Sequence, residues 1–369
     1  MKVLHFILGK ANKARANGVN QVIAGLAKHS ARLGAGVRVI GKAESVTREG
    51  ETITRDGFDV EAYSRWGRPL RSALADGIRW ADVVHLHGVY SPWNLLVAKI
   101  CEETCHPYVV TLHDGLAPER SKAHGRFRKW VFHSLLQRRH LAHAAGVHVL
   151  TEEEGTDLFS VAHPRNVFCI PNGVDLDDYP SPNVREGVSL NDINIGYLGR
   201  LSPEKNLEAL CLAFAEVNTA HNMRLILAGP PSAYGDRLLK RFSGQGVVGV
   251  GTKFGEDKSA FIREMDLFVH PSLCDVFSIS AMEVLAVGTP LLITRTSNAS
   301  YFCDRGAFFM CEPTVFGLAK GLRLALDRQA GWAEMSVRGR RLIDERLNWR
   351  AAASDMLEAY SQIVGGHSS

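Results

Sequence analysis

The stretch Ile193-Asn194-Ile195-Gly196-Tyr197-Leu198-Gly199-Arg200-Leu201-Ser202-Pro203-Glu204-Lys205-Asn206 opens the second half of a 369-residue chain. Residues 193–198 form a short apolar run, and residues 207–217 then repeat apolar side chains at helical spacing. Strand, glycine turn and helix in succession is the unit from which parallel α/β sheets are built. The same alternation extends outward in both directions. Apolar runs at 3–8, 37–40, 83–86, 108–112 and 147–150 come before it, and runs at 224–228, 247–250, 267–270 and 290–294 follow. Amphipathic stretches at 20–33 and 93–103 separate the earlier runs. Strands covered on both faces read as unbroken apolar runs, which is the pattern here. It runs once, pauses across 175–192, and begins again; the pause holds Asp177, Asp178, Pro180, Ser181, Pro182 and Asn183, a linker-like composition. The expected fold class is α/β, with two Rossmann-like, doubly wound parallel-sheet domains facing a cleft. The expected divisions are 1–180, a linker at 181–192, a second domain at 193–348, and a C-terminal helix and tail at 349–369.

Composition agrees with a packed protein: 46% of residues are hydrophobic and 22% charged, which excludes disorder, collagen and coiled coil for the whole chain. No stretch approaches the roughly 18 consecutive apolar residues that cross a bilayer. The N-terminal run Val3-Leu4-His5-Phe6-Ile7-Leu8 is broken by His5 and lacks an A-x-A-like cleavage site, so it reads as a buried first strand rather than a signal peptide. Seven scattered cysteines point to reduced thiols in a cytoplasmic protein. Cys101 and Cys105 have one-turn spacing, but no second pair completes a zinc set. The net charge of +4 conceals an asymmetry, because the basic excess lies within residues 1–170 and the remainder is slightly acidic. The first half is thus expected to face something anionic.

Two phosphate signatures are missing. Gly9-Lys10 and a polar loop to Gly18 follow the first strand where a dinucleotide enzyme carries G-x-G-x-x-G, and no G-x-x-x-x-G-K-[ST] exists. A different anion site is suggested by Arg200 and Lys205, which stand where an open parallel sheet binds ligands. Arg200 would grip a diphosphate with its fork and Lys205 as a point charge; alternatively both are surface charges. Ser202-Pro203 reads as a helix start. The segment His270-Pro271-Ser272-Leu273-Cys274-Asp275-Val276-Phe277-Ser278-Ile279-Ser280-Ala281-Met282-Glu283 follows a strand and enters a helix stopped at Gly288 and Pro290. Backbone N–H groups at that helix start suit a phosphate, and Asp275 and Glu283 suit sugar or ribose hydroxyls. The alternative makes Asp275 an N-cap and Glu283 a solvated helix residue.

Together these segments resemble the retaining glycosyltransferases of family 4, with the GT-B fold, over nearly the whole chain. Gly199-Arg200-Leu201-Ser202-Pro203-Glu204-Lys205-Asn206 is similar to the family's G-R-x-x-x-x-K-[NG] segment. Asp275 to Glu283 resembles its E-x7-E element, Gly288-Thr289-Pro290 the G-x-P after it, and Pro171-Asn172-Gly173-Val174-Asp175 its P-N-G-V-D. Asp82-Val83-Val84-His85-Leu86-His87 and Thr111-Leu112-His113-Asp114 look like first-domain strands of the family. The resemblance implies that Arg200 and Lys205 bind the donor diphosphate and stabilise the leaving group. It implies ribose contact for Glu283, a donor-sugar hydroxyl for Asp275, and backbone contacts from Phe277, Ser278 and Ile279. Gly18 would let the first domain approach the phosphates, and His113 would sit beside the anomeric carbon. The catalytic set is thus His113, Arg200, Lys205 and Asp275. One departure stands out: Asp275 is a methylene shorter than the family's usual Glu, and Val276-Phe277-Ser278-Ile279-Ser280 replaces the commoner G-F-G-L-P. Donor identity depends on both.

No metal or other cofactor is expected, because cations and helix N-termini can neutralise a departing nucleoside diphosphate. Asp175-Leu176-Asp177 spells D-x-D but falls in the linker. Residues 118–143 concentrate Arg120, Lys122, Arg126, Arg128, Lys129, Arg138 and Arg139 around apolar positions at helical spacing. This stretch is either an amphipathic surface for an anionic membrane at its inner face or a core helix with a solvated basic side. Nucleic acid is not expected. The clustered His85 and His87 could suggest a metal site but read rather as a polar wall of an acceptor cleft, and Glu152-Glu153-Glu154 after Thr151 reads as a capped, solvated helix start. A helix from residue 347 to 363 would return to the first domain, with Trp349 packing at the crossing. The expected function is transfer of a hexose from a UDP- or GDP-linked donor to a saccharide or lipid-linked saccharide in cell-surface glycan synthesis. The alternatives are a GT-B sugar-nucleotide epimerase and a non-catalytic nucleotide-sugar-binding subunit.

Overall fold

A computed structural model describes residues 1–9, 18–43, 46, 48–113, 115–116, 136–179, 193–219, 223–275, 277–297 and 306–367. The expected linker at 181–192, most of the basic stretch 118–143, Val276 and Asp114 lie outside these residues. The chain divides into two compact units, one of Met1–Asn172 with Trp349–Ser369, the other of Gly173–Asn348.

The first unit is built on eight strands: β1 (Lys2–Ile7), β2 (Gly36–Lys42), β3 (Ile53–Arg55), β4 (Phe58–Tyr63), β5 (Val83–His87), β6 (Tyr108–Thr111), β7 (Gly146–Val149) and β8 (Val167–Cys169). They lie in the order β3-β4-β2-β1-β5-β6-β7-β8, parallel throughout except for the antiparallel β3–β4 pair. Five of the ten expected apolar runs fall on β1, β2, β5, β6 and β7. The unforeseen β3 and β4 are a half-polar hairpin whose edge strand is largely exposed, so no apolar run announces them. Order reverses between β1 and β5, because β2 lies on one side of β1 and β5 on the other.

Helix Gly18–Arg32 packs against the C-terminal helix Trp349–His367 in this unit. Gly25 makes the approach possible, since a Cβ there would stand 2.3 Å from the Trp349 ring. Trp349 is therefore a buried packing residue on the first unit. Thr151 caps helix Glu152–Val161 by accepting from the Glu154 N–H. Glu154 itself is buried and its carboxylate accepts from the N–H of Leu150, the residue before the cap, at 2.7 Å, so it is not a solvated residue.

The second unit holds β9 (Asn194–Leu198), β10 (Arg224–Ala228), β11 (Val247–Gly249), β12 (Leu267–His270), β13 (Leu291–Thr294) and β14 (Phe309–Cys311). All are parallel, in the order β11-β10-β9-β12-β13-β14. Order again reverses beside the first strand, between β9 and β12. Tyr197, Phe214, Leu225, Leu267 and Leu322 are buried in one core, and each such side chain contributes about 1.5–3 kcal/mol. Gly229 permits close passage of the loop after β9, because a Cβ there would lie 2.0 Å from the Gly199 carbonyl oxygen. This fixes where Arg200 leaves the sheet.

Candidate active site

The reversal between β9 and β12 leaves their carboxyl-end loops side by side, the position at which open α/β sheets bind ligands. The loop after β9 becomes a 3-10 turn, Pro203–Lys205, and then helix Leu207–Val217. Ser202 stands at the expected start of that turn, but its hydroxyl makes no capping bond. Asn206 takes the left-handed conformation at φ 57° and donates from its amide to the Pro313 carbonyl at 2.9 Å. The loop after β12 is tied to the first one through Glu204, whose carbonyl accepts from the Leu273 N–H and the Ser272 hydroxyl. Thr294 and Thr296 hold the other side by donating to the Ser272 carbonyl.

These anchors bring Lys205 to Asp275, with Nζ 2.5 Å from Oδ2. His270, at the end of β12, donates from Nε2 to the same oxygen at 3.1 Å. Burial pushes the Asp275 carboxyl up, but the His270 hydrogen bond and the Lys205 charge outweigh it, holding it well below the usual aspartate range. The Ser278 hydroxyl lies 3.5 Å from the other His270 nitrogen, Nδ1. Ser278 also caps helix Ile279–Val287 by accepting from the Ala281 N–H at 3.2 Å. Asp275 is thus not the N-cap. Phe277 is buried beside the cap, and Ile279 begins the helix.

Glu283 lies one turn into that helix and is buried, so it is not a solvated helix residue. Lys258 Nζ stands 2.5 Å from its Oε1, and the Tyr179 hydroxyl is hydrogen-bonded to it. Burial and this carboxylate raise the Tyr179 phenol well above its ordinary range. A buried carboxylate with a cation and a phenol is a preset acceptor for hydroxyl groups. Arg200 differs: it is more than half exposed and only 3.4 Å from an exposed Glu204 carboxylate. Such a surface pair is worth at most about 1 kcal/mol, so Arg200 can turn to an anionic ligand.

The candidates of the first unit are His113 and Gly18. Gly18 opens helix Gly18–Arg32 and a Cβ there would meet nothing within 4 Å. His113 follows β6 with a left-handed φ of 49°. It is the outer member of a row of imidazoles: His113 Nε2 is 3.0 Å from His87 Nδ1, and His87 Nε2 is 3.0 Å from His5 Nδ1. A second row runs from Tyr360 through His85, Thr111 and His148 to the Ile170 carbonyl. His85 and His87 are therefore interior residues, not a wall of a cleft. Burial lowers His5 and His113 to about 3 and His148 to about 4. His5, His85 and His87 bring nitrogen atoms within 4.8 Å of one another, close enough for a metal ion, but both His85 nitrogens are already engaged. Asp175 accepts from the Asp177 N–H and caps the turn Leu176–Asp178. The described cysteines are free thiols, and Cys105 lies beyond the end of helix Pro92–Glu103.

Lys258, Tyr179, His270 and His5 were not expected from sequence. His270 adjoins a recognisable motif, while Lys258 and Tyr179 sit in stretches with no distinguishing pattern.

The two-sheet architecture is that of GT-B glycosyltransferases. Sucrose-phosphate synthase from Thermosynechococcus elongatus matches with a TM-score of 0.78 at 18% identity, covering 99% of this chain and 100% of that one. Residues 16–178 match the model for Glycosyltransferase Family 4, and residues 192–327 that for Glycosyl transferases group 1. The chain therefore belongs to glycosyltransferase family 4 and is a glycosyltransferase of the GT-B fold. Among characterised relatives, the GDP-mannose:cellobiosyl-diphosphopolyprenol alpha-mannosyltransferase of Xanthomonas campestris is 26% identical over 88% of this chain and 84% of its own length. The protein of the same name from Xanthomonas oryzae pv. oryzae is 30% identical over 66% of this chain, a match spanning 62% of that protein.

Proposed function

We propose that this chain transfers a hexose from a UDP- or GDP-linked donor to a saccharide or lipid-linked saccharide acceptor, with retention and without a metal. The observation that carries this reading is the Lys205–Asp275 pair beside the capped helix bearing Glu283. Arg200 and Lys205 hold the diphosphate and neutralise the charge that builds as it leaves. Backbone N–H groups near Phe277, Ser278 and Ile279 assist from the helix N-terminus. Glu283 accepts from ribose hydroxyls. With Asp275 Oδ2 committed to Lys205 and His270, Oδ1 is offered to a sugar hydroxyl. The family resemblance assigns Gly18 a role toward the phosphates and His113 a role beside the anomeric carbon. Burial keeps His113 neutral at physiological pH, so it donates or accepts a hydrogen bond without adding charge. Attack on the face the leaving group vacates, through an oxocarbenium-like state, gives retention.

The similarity to a mannosyltransferase named for a diphosphopolyprenol-linked saccharide supports a lipid-linked acceptor, and a role in cell-surface glycan synthesis is proposed with it. A cytoplasmic location at the inner membrane face is part of the same proposal. Among the described residues no helix is long and apolar enough to cross a membrane. Arg138 and Arg139 of the basic stretch are exposed, as peripheral attachment requires.

Calorimetry with UDP and GDP, with and without EDTA, on wild type and Arg200→Ala tests the reading. Saturable binding of one nucleotide, indifferent to EDTA and weakened by the substitution, is the expected result. Absence of binding by folded protein would remove the basis of the diphosphate assignment.

A further inference from the structure

The row His5–His87–His113 has a direction, and that direction decides what His113 offers a ligand. All three rings are neutral in the interior, and a neutral imidazole has one donor and one acceptor nitrogen. The two links, His5 Nδ1 to His87 Nε2 and His87 Nδ1 to His113 Nε2, are each 3.0 Å. They must therefore run in the same sense, either outward from His5 or inward from His113.

The inner end separates these alternatives. His5 Nε2 is buried and has no hydrogen-bond partner. An inward row would place a proton on that atom, creating an orphaned buried N–H. An outward row leaves only a bare lone pair there, and buried donors are the groups least often left unsatisfied. The neighbouring row fixes its own tautomers in a similar way. The Ile170 carbonyl only accepts, so His148 donates from Nε2, Thr111 donates to His148 Nδ1, His85 Nε2 donates to Thr111, and Tyr360 donates to His85 Nδ1. His85 stacks on His87 with centroids 4.2 Å apart. Both of its nitrogens are committed, so it has none left for a metal shared with His5 and His87.

We propose that His5 and His87 are positioning residues that lock His113 as its Nδ1–H tautomer, with Nε2 occupied by the His87 N–H. His113 then presents a neutral hydrogen-bond donor, suited to a sugar or leaving-group oxygen, and no basic nitrogen. The catalytic consequence rests on the proposed transferase reading; the tautomer does not. His87 is set on β5 beside His5 on β1 by the parallel register that pairs His5 with His85.

The test is a long-range proton–nitrogen spectrum of the full chain labelled in histidine, with the His113 signals assigned through His113→Gln. A bare Nε2 and a protonated Nδ1 on His113 at neutral pH are expected. A protonated Nε2, or a stoichiometric transition metal retained by the purified protein on these rings, would overturn the proposal. The kinetic arm compares His87→Leu with His87→Asn, whose amide N–H stands near the lost Nδ1–H. Loss of one hydrogen bond should lower kcat about tenfold in His87→Leu with little change in donor KM, and His87→Asn should recover most of it. Equal losses in both variants would reduce His87 to a packing residue. Should the chain bind no nucleotide sugar, the transferase reading fails while the spectrum still decides the tautomer.

Discussion

Lys205 and Asp275, seventy positions apart, meet as an ion pair at 2.5 Å across the point where the second sheet reverses strand order. The pair is mostly shielded, with 12% and 16% of the two side chains exposed. Its attraction is offset by desolvation, so its net effect on stability is small. Removing one partner is different, because the other charge is then stranded. Lys205→Ala should destabilise the second unit by about 3 kcal/mol, the low end for a broken buried pair, since His270 still bonds Asp275. Urea unfolding of Lys205→Ala, Asp275→Ala and the double variant measures this. A double variant much more stable than Lys205→Ala is expected, and strictly additive losses would contradict the coupling.

Acid should unfold the first unit early. Burial lowers His5 and His113 from 6.5 to about 3, and His140 and His148 to about 4. Below pH 6.5 the unfolded chain takes up these protons while the folded chain does not. Stability is therefore complete above that pH and falls as pH drops toward 3–4. Each histidine contributes about 1.4 kcal/mol per pH unit within that window. Against a typical stability of 5–15 kcal/mol, loss of near-ultraviolet dichroism is expected near about pH 5. A midpoint below pH 4 would show that the rings are protonated in the folded state. Asp275 acts lower: its depressed value means its contribution is lost only as pH falls below the ordinary 3.8.

His140 is a buried ring that gains little from being histidine. It stacks on Tyr108 at an interplanar angle of 8°, and neither ring nitrogen has a hydrogen-bond partner. His140→Phe keeps the stack, removes two unsatisfied polar atoms and deletes one of the protons taken up on unfolding. Stability at pH 7 should rise by about 1 kcal/mol, and the slope against pH between 5 and 6 should fall by about one proton. Denaturant melts at several pH values read both. A destabilised variant with an unchanged slope would sink this reading.

Gly25→Ala pits two effects against each other. Alanine in place of a helical glycine favours the helix by about 1 kcal/mol. The new methyl group would, however, stand 2.3 Å from the Trp349 ring, and overpacking of this kind typically costs about 1–3 kcal/mol. A ring wedged between two helices cannot yield cheaply, so net destabilisation is expected by thermal unfolding. Trp349→Leu in the same chain should reverse it in part, whereas a stabilised single variant would mean that the helices separate freely.

Much of this molecule is legible in its residues because the signals concerned are local. Buried parallel strands must be continuously apolar, so ten of the fourteen strands among the described residues announce themselves. The Gly288 stop and the order of the motifs likewise depend on neighbours within a turn or two of chain. Strands β3, β4, β8 and β14 escape notice because they are short or half polar.

The charge and proton arrangement was not legible, because it depends on partners far apart in the chain. Asp275 and Glu283 can be marked as acids from their spacing. That Asp275 is held by Lys205 and His270, and Glu283 by Lys258 and Tyr179, follows from which loops the strand order places together. His5 on β1, His85 and His87 on β5, and His113 just after β6 are scattered over more than a hundred residues, and only parallel pairing aligns them into rows. Apolar periodicity reports how a segment meets a core; it carries no information about which polar atom another segment will bring within 3 Å.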